Sequence, residues 1–574
     1  MLGVFRIIVL AITFCGYVLW LRKKFDLSIY IIPAIIVNAI TSVMLVSGLL
    51  NIMPIIAGVL ILLGFVLFYK YFDVAKDIAN HISKNVFPMI IMSFFCIYIL
   101  WYLWGGVYSD GDTMNHWAII VREMIKDNRL PNFTNTAIAY QSYPPATACW
   151  IYFVDLVIGY SEMNSLFAQS FWILSCVISL FSINKKRFVV IDLFVSVFFV
   201  YVLVGTSCGL DTLKVDTLLG LTAMAGMIVV YEIGANFWYI ALFFCISLTM
   251  VKNSGILFSF FLIIEYLIIH YYKDGCYSRS IKRRSGIAFG TSAFIFLLWQ
   301  KHIAMVYEEA SATRHGLRLG SMKGIFDARS MDDVISLIKN FFIKWFTINN
   351  QSYEWIFLLI LTILFTVVLL VLSDKRKIWI IYISNLAAYL VYKLGLLGMY
   401  MFNMPGDEAV EIAEYVRYQE AFNLLLFVSI IYYIKLLLDS DLKNSYKRLI
   451  IIVLAVLSAG VCLLYFNKVI TRPDYTNGGL HRKLYSLIMN PEEEISYGDK
   501  VLTYDQYWLQ VYAVKYSMDN YDCKVTYDVD VLEEALTTNE NEYDYIYIST
   551  LDDTVVDLLR QYSYGEDTFL ISLK

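Results

Sequence analysis

Two carboxylates, Asp110 and Asp112, stand two residues apart just after an apolar run, and His116 follows four residues later. A carboxylate at a membrane boundary costs free energy to desolvate and usually serves a purpose. The pattern fits a general base that takes a proton from an incoming hydroxyl group. A helix cap is the simpler alternative, because Asp is a favoured N-cap and a helical pattern begins after Asp112. The same three side chains could also hold a divalent metal ion.

A second set of charged residues lies next to apolar runs or in the polar segments between them: Asp211, Lys214, Asp216, Lys252, Arg314, Arg318 and Arg417. We expect Asp211, Lys214 and Asp216 to pair with one another. Lys252 separates two apolar runs, so plain solvation explains it poorly. The simple alternatives are a solvated loop for Arg314 and Arg318 and a snorkelling side chain for Arg417.

The elements that must position these residues are membrane-spanning helices. The chain is 59% hydrophobic and only 16% charged, with a mean hydropathy of +0.62, whereas soluble domains carry about 25% charged residues. A span needs roughly 20 apolar residues. We predict about thirteen to fourteen spans, near 2–21, 28–49, 52–70, 86–104, 165–183, 187–207, 214–232, 236–251, 254–272, 286–304, 353–373, 378–400, 420–438 and 449–467. The run 146–160 is expected to be a re-entrant or surface helix, and the first run a span and not a cleaved signal peptide.

Basic residues in short loops mark the cytoplasmic side of a membrane protein. With these spans, all six basic loops fall on one side: 22–24, 70–84, 185–187, 273–284, 375–377 and 443–448. The outer face then receives 105–145, 208–213, 305–352, 401–419, the C-terminal tail and the N-terminus. Segments 113–127 and 331–346 have helical apolar spacing, which predicts amphipathic helices lying on the membrane.

The tail differs in composition and pattern from the rest of the chain. Residues 491–574 hold 19 Asp and Glu against 5 Lys and Arg, a net of −14, while 1–490 holds 30 acids and 40 bases, a net of +10. Short apolar strands alternate with helical runs from 501 to 573, which indicates a small α/β domain. We place the boundary between a membrane domain, 1–469, and this extracytoplasmic domain, 470–574. The tail's acidity argues against nucleic acid as a partner.

Several of these motifs together resemble the C-type (GT-C fold) membrane glycosyltransferases of bacteria. The first is Asp112 with His116-Trp117, followed by Leu130-Pro131 and Tyr143-Pro144-Pro145. Later positions that fit are Asp211 with Asp216, Lys252 in Val251-Lys252-Asn253-Ser254-Gly255, and Arg417-Tyr418. The resemblance covers residues 86–440 and departs from the family pattern at Thr113, where a Glu is usual.

This resemblance implies a multi-pass cell-membrane enzyme that transfers a hexosyl or pentosyl group, with inversion, from a polyprenyl-phosphate donor to a glycan, lipid or protein acceptor outside the cell. It implies Asp112 as the base, with Asp110 as a second carboxylate. Cations near the leaving phosphate would stabilise the transition state, and Lys252, Arg417, Arg314 and Arg318 are the candidates. We expect His116, Trp117, Tyr143, Asp211 and Tyr418 to contact substrates. A flippase or exporter of glycan lipids and an O-antigen-type polymerase are the alternatives.

Overall fold

The chain is an α-helical polytopic membrane protein with a small C-terminal α/β unit. Its computed structural model describes residues 2–84, 86–132, 138, 140–183, 189–233, 238–274, 278–307, 319–347, 359–360, 362–363, 365–367, 369–370, 376–404, 406–438, 444–473, 475, 500–504, 522–526, 528–537, 542–548, 551–565 and 570–573.

The helices of the first half of the chain are Leu2–Phe25, Ile32–Leu49, Met53–Lys70, Ala75–Lys84, Val86–Leu103, Ala118–Asp127, Ala146–Ile158, Glu162–Ile178, Val189–Val204, Asp216–Glu232 and Trp238–Val251. Those of the second half are Gly255–Asp274, Arg279–Val306, Leu319–Asp327, Met331–Phe346, Arg376–Phe402, Gly406–Val410, Tyr415–Leu438, Asn444–Ile470, Val529–Thr537 and Asp553–Gln561. Short 3-10 turns span Phe72–Val74 and Ser179–Ile183, and a π-helical turn spans Thr113–Trp117.

Every predicted span except 353–373, which lies largely outside the described residues, coincides with a helix. Within the described part, six helices are long and apolar enough to cross a membrane: Gly3–Phe25, Ile32–Leu49, Met53–Lys70, Val86–Leu103, Glu162–Ser182 and Asn444–Ile470. Four shorter apolar helices accompany them, namely Ala146–Ile158, Val189–Val204, Trp238–Val251 and Gly255–Tyr271. Local sequence helps to set two of their starts, since proline stands in the first turn of Ile32–Leu49 and of Met53–Lys70.

One segment predicted at the membrane surface, 113–127, is buried in the protein instead, whereas the buried helix Ala146–Ile158 is compatible with the re-entrant helix expected at 146–160. Helix Ala118–Asp127 packs against helix Ala146–Ile158, and most residues of both are buried. The amphipathic pattern of 113–127 was therefore read wrongly, because its polar face is also covered by protein. Arg122 and Glu123 tolerate this burial because their side chains pair at 3.5 Å.

Helix Met331–Phe346 fits the predicted surface helix better. Ser330 and Asp333 form a capping box at its start. Leu337 and Phe341 are buried, whereas Ile335 and Phe346 are among its exposed large hydrophobic side chains. The helix therefore covers the protein with one face and presents a second apolar face outward.

The tail confirms the predicted alternation of strands and helices wherever the structure describes it. Strands β1 (Lys500–Tyr504), β2 (Asp522–Thr526), β3 (Tyr545–Ile548) and β4 (Leu570–Ser572) form a sheet in the order β2-β1-β3-β4. β1 runs parallel to β2 and β3, and β4 is antiparallel to β3. One face of the sheet packs on its own two helices. The helix predicted at 507–516 lies outside the described residues.

Four helices form the frame that positions the charged residues. Helix Asp216–Glu232 packs on Tyr415–Leu438 and on Gly255–Asp274, and helix Arg376–Phe402 packs on the last two. Gly220 lies against the backbone of Ala421 and leaves no room for a side chain, so the first two helices approach closely. Three of these helices begin near Asp216, Lys252 and Arg417, and the positive ends of their dipoles favour acidic residues there.

Candidate functional site

Asp110, and not Asp112, caps the helix that follows the acidic segment. Its carboxylate accepts hydrogen bonds from the Thr113 backbone N–H at 3.0 Å and from the Thr113 hydroxyl at 2.5 Å. The Lys214 ammonium lies 3.4 Å from the same carboxylate. Asp112 makes no side-chain capping bond, so the alternative in which Asp112 serves as the cap is wrong. With Asp110 in that position, Asp112 is free for other contacts.

The Asp112 carboxylate instead faces Arg417, more than 300 residues later in the chain. Arg417 Nη1 donates to Asp112 Oδ2 at 2.5 Å. Burial on its own would raise the pKa of Asp112, but Arg417, with help from Lys214 and Lys252, holds that pKa below its ordinary value of 3.8. Asp112 is therefore ionised at neutral pH and is held in a charge-assisted hydrogen bond.

Asp216 is the acid that joins the two principal cations. Lys252 Nζ lies 2.5 Å from Asp216 Oδ1, and Arg417 Nε lies 3.6 Å from Asp216 Oδ2. Glu414, one turn before Arg417, adds a third carboxylate at 3.5 Å. The expected pairing among Asp211, Lys214 and Asp216 is therefore wrong, since Lys214 pairs with Asp110 and Asp216 with cations of other helices.

Tyr418 forms a platform under both cations. The Lys252 ammonium lies 4.5 Å from the centre of its ring, and the Arg417 guanidinium lies 5.0 Å from it. The Tyr418 hydroxyl also accepts a hydrogen bond from Arg417 Nη2 at 3.2 Å. Cation–π contacts of this kind are stronger where water is excluded. Tyr418 thus holds the two positive charges side by side.

These residues line a chamber of about 570 Å³. Its charged lining consists of Asp110, Asp112, Asp216, Glu408, Glu414, Lys214, Lys252 and Arg417, that is, five acids and three cations. Each of the three cations is paired with at least one of these acids. An anionic ligand that enters the chamber must therefore compete with carboxylates for its cations.

An aromatic wall closes one side of the chamber. The rings of Tyr140 and Tyr143 are stacked, with centres 5.1 Å apart and planes at 19°. Trp117 lies 5.8 Å from Tyr143, and all three rings line the chamber. Stacked rings of this type can bind the apolar face of a sugar. His116 is fully buried and packs edge-on against Tyr143 behind this wall, so it supports the wall and does not line the chamber.

An apolar groove of about 390 Å³ adjoins the chamber between helices Gly255–Asp274 and Arg376–Phe402. Its walls include Leu257, Leu396 and Phe402. The groove and the chamber share five lining residues, which are Tyr143, Asp216, Lys252, Met404 and Tyr418. A charged chamber and an apolar groove thus meet at the Lys252–Asp216 pair.

The structure gathers most of the predicted site residues into this chamber, since its lining includes Asp110, Asp112, Trp117, Tyr143, Lys252, Arg417 and Tyr418. Asp211 does not line it; burial, followed by the nearby Asp110 carboxylate, raises the pKa of Asp211. Arg314 and Arg318 lie outside the described residues.

Sequence reasoning missed Tyr140, Glu408 and Glu414 as lining residues, and it assigned Lys214 and Asp216 to an ion-pair group among themselves. Glu414 immediately precedes helix Tyr415–Leu438 and has a left-handed backbone (φ 56°), so the helical spacing of acid and arginine offered no signal for its contact with Arg417. Among the described residues, no group of three or more His, Cys, Asp or Glu side chains is arranged to hold a metal ion.

Comparison with known proteins yields little beyond this geometry. No protein-family model and no curated protein matches the chain. The chain is similar to the crystal structure of ArnT from Cupriavidus metallidurans in the apo state. The two share 11% identity, and the match covers 86% of this chain and 98% of that chain with a TM-score of 0.39. Such a distant likeness supports no argument about function.

Proposed function

We propose that this chain is a membrane glycosyltransferase that uses a polyprenyl-phosphate sugar as donor and Asp112 as general base. The observation that carries the proposal is the junction of the charged chamber with the apolar groove at Lys252 and Asp216. A lipid-linked sugar has the matching layout, because its phosphate stands between a polar sugar and a hydrocarbon tail. The groove would hold the first part of the tail, and the chamber would hold the sugar and the acceptor.

The cations at the junction suit the leaving phosphate. In the proposed step the acceptor oxygen attacks C1 of the sugar from the face opposite the phosphate, and the C1–phosphate oxygen bond breaks with inversion. The acceptor proton passes to Asp112, and the bonding electrons leave with the polyprenyl phosphate. Lys252 and Arg417 would stabilise the negative charge that grows on the leaving group. Arg417 can hold two phosphate oxygens with its planar fork, while Lys252 acts as a point charge.

The ion pair between Asp112 and Arg417 links donor binding to the strength of the base. While Arg417 holds Asp112, the low pKa makes this carboxylate a weak proton acceptor. A donor phosphate that takes over the guanidinium would loosen the pair and let the pKa of Asp112 rise toward its ordinary value. The base would then strengthen only when the donor is present, which favours transfer over wasteful reaction with water.

We assign the chamber and the tail to the outer side of the cell membrane, and we divide the chain into a membrane domain, 1–469, and an extracytoplasmic α/β domain, 470–574. The distribution of basic loops supports this orientation. The acceptor is a glycan, lipid or protein that presents a hydroxyl group to the chamber. Asp110 then serves as the cap that orients Asp112, and Tyr140, Tyr143 and Trp117 are the stacking surface for a sugar.

The test is transfer of a radiolabelled sugar by the purified protein in nanodiscs with a polyprenyl-phosphate donor. Asp112→Asn should lower kcat by about 10²- to 10⁴-fold, the usual contribution of a general base. The melting temperature should fall by only a little, because Asn keeps the shape of the side chain and the ion pair it removes is partly exposed. Transfer by Asp112→Asn at the unchanged rate would remove Asp112 as the base. Translocation of intact donor without cleavage would favour a flippase.

A further inference from the structure

Glu420 is a fully buried acid that the proposed chemistry does not use. Its carboxylate accepts hydrogen bonds from the backbone N–H of Ser207 at 2.8 Å, from the Ser207 hydroxyl, and from the Thr217 hydroxyl at 2.6 Å. A buried carboxylate is costly unless hydrogen bonds satisfy it, and here three donors converge on it. We call these three hydrogen bonds from Ser207 and Thr217 to the Glu420 carboxylate the clamp.

The clamp joins helix Tyr415–Leu438 to both ends of the loop 205–215. Ser207 follows helix Val189–Val204, and Thr217 lies in the first turn of helix Asp216–Glu232. The three bonds therefore fix where this loop leaves one helix and where it enters the next.

The far side of the same loop touches the acidic segment. The Thr113 and Thr212 hydroxyl oxygens are 3.0 Å apart, and the Leu213 backbone N–H donates to the Thr113 hydroxyl at 3.0 Å. Lys214 pairs with Asp110, the residue that caps the helix beside Asp112. A series of short contacts thus runs from Glu420 through the loop to Thr113 and Asp110, which flank the proposed base.

Arg417 lies three residues before Glu420 on the same helix, about 4.5 Å along its axis and on the same side. We propose that Glu420 is a positioning residue that sets Arg417 in register with Asp112 by clamping the loop 205–215. The inference rests on the function proposed above. Because displacement of a reacting group by about 1 Å can cost on the order of 100-fold in rate, such a clamp has a direct kinetic consequence.

Glu420→Gln keeps the size of the side chain but turns one acceptor into a donor. If the new amide nitrogen faces the Ser207 N–H, that hydrogen bond is lost; if it faces the Thr217 hydroxyl, the hydroxyl must turn and accept, and every bond of the clamp is then made to a neutral amide and is weaker. We expect kcat for sugar transfer to fall about 10- to 100-fold. The Kd for polyprenyl phosphate should stay within about threefold, because Lys252 and Arg417 remain beside the junction. Glu420→Asp, which keeps the carboxyl group, should recover part of kcat.

A natural cysteine reports on the loop without any need for activity. Cys208 follows Ser207 directly and is buried, and Cys149, Cys176 and Cys245 are buried elsewhere in the bundle. With an alkylating reagent and mass spectrometry, Glu420→Gln should raise the rate of labelling at Cys208 at least tenfold and leave the other three unchanged. Equal acceleration at all four cysteines would show general unfolding and overturn the proposal.

Matched variants complete the experiment. Thr217→Val removes one donor of the clamp and should lower kcat by a smaller factor. Thr222→Val alters a buried threonine of the same helix whose hydroxyl lies 3.9 Å from the Cys176 sulfur, and kcat should not change. The clamp would be refuted if Glu420→Gln had the kcat of the wild-type protein, or if Cys208 were alkylated no faster in this variant. If Glu420→Gln accelerates Cys208 labelling but the wild-type protein transfers no sugar, the proposed function is refuted and the contact of Glu420 with the loop is retained.

Discussion

Asp112→Asn should bind polyprenyl phosphate more tightly than the unchanged protein, although it transfers sugar far more slowly. Arg417 donates to the Asp112 carboxylate at 2.5 Å, and a phosphate at the junction must win this guanidinium from the carboxylate. Asparagine removes the negative charge and leaves Arg417 available to the ligand. A residue that merely supports the site would weaken binding when changed, so the sign of the effect is diagnostic.

The size of the effect follows from the exposure of the pair. A hydrogen bond to a charged group contributes about 1.5 to 3 kcal/mol. The Asp112 side chain is 34% exposed, so solvent screens the interaction and a value of about 1 to 1.5 kcal/mol is appropriate. At about 1.4 kcal/mol for each tenfold change, the Kd for polyprenyl phosphate should fall about five- to tenfold.

The assay is displacement of a fluorescent polyprenyl phosphate from the protein in nanodiscs. Asp211→Asn is the matched control, since Asp211 is a nearby acid that does not line the chamber, and its Kd should not change. Arg417→Ala should weaken binding, and adding Asp112→Asn to it should bring no tightening. Unchanged or weaker binding by Asp112→Asn alone would show that Asp112 and the phosphate do not compete for Arg417.

Three further outcomes are expected. Lys252→Met should raise the Kd for polyprenyl phosphate about 10-fold or more, because one charge-assisted hydrogen bond is lost. An unchanged Kd would show that the phosphate does not bind at Lys252. The Asp112–Arg417 pair stabilises the fold above pH 3.8, and this contribution should be lost as the pH falls through the lower pKa of Asp112 in the folded protein. The stability of Asp112→Asn should therefore fall less steeply with decreasing pH than that of the unchanged protein. Identical slopes would contradict the lowered pKa of Asp112. Asp332→Cys should react with an impermeant maleimide on intact cells and Lys76→Cys only after permeabilisation, and the reverse pattern would invert the proposed orientation.

The helical frame could be predicted from sequence because lipid imposes a simple rule on spans. A spanning helix must satisfy its own backbone and present apolar side chains for about 20 residues, and such runs stand out in any chain. Segment 113–127 shows where the rule stops. Its apolar stripe is the same whether the opposite face meets water or protein, and the pairing of Arg122 with Glu123 within the fold helps to make burial possible.

Many of the residues that line the chamber could be predicted from sequence, but the ion pairs that they form could not. Residue type and position at helix ends, together with the family resemblance, nominated Asp112, Lys252 and Arg417 for one site. Their partners depend on how helices distant in sequence pack, and no local pattern encodes that Asp216 faces Lys252 at 2.5 Å. Glu420 was invisible for the same reason, since its three hydrogen bonds go to residues more than 200 positions away.

In the proposed function, a division of labour between Asp110 and Asp112 gives a reason for two acids with one residue between them. Thr113 donates hydrogen bonds to both carboxylate oxygens of Asp110, which fixes the start of the helix and holds that carboxylate in place. Two residues on, the chain has turned enough for Asp112 to reach Arg417 across the chamber. A single acid could not both cap the helix and exchange its partner for a substrate proton, because loss of the cap would disturb the helix at each turnover. The Thr at 113, where the resembled family has Glu, is therefore compatible with a working base: it secures Asp110 and leaves Asp112 as the carboxylate that can change partner.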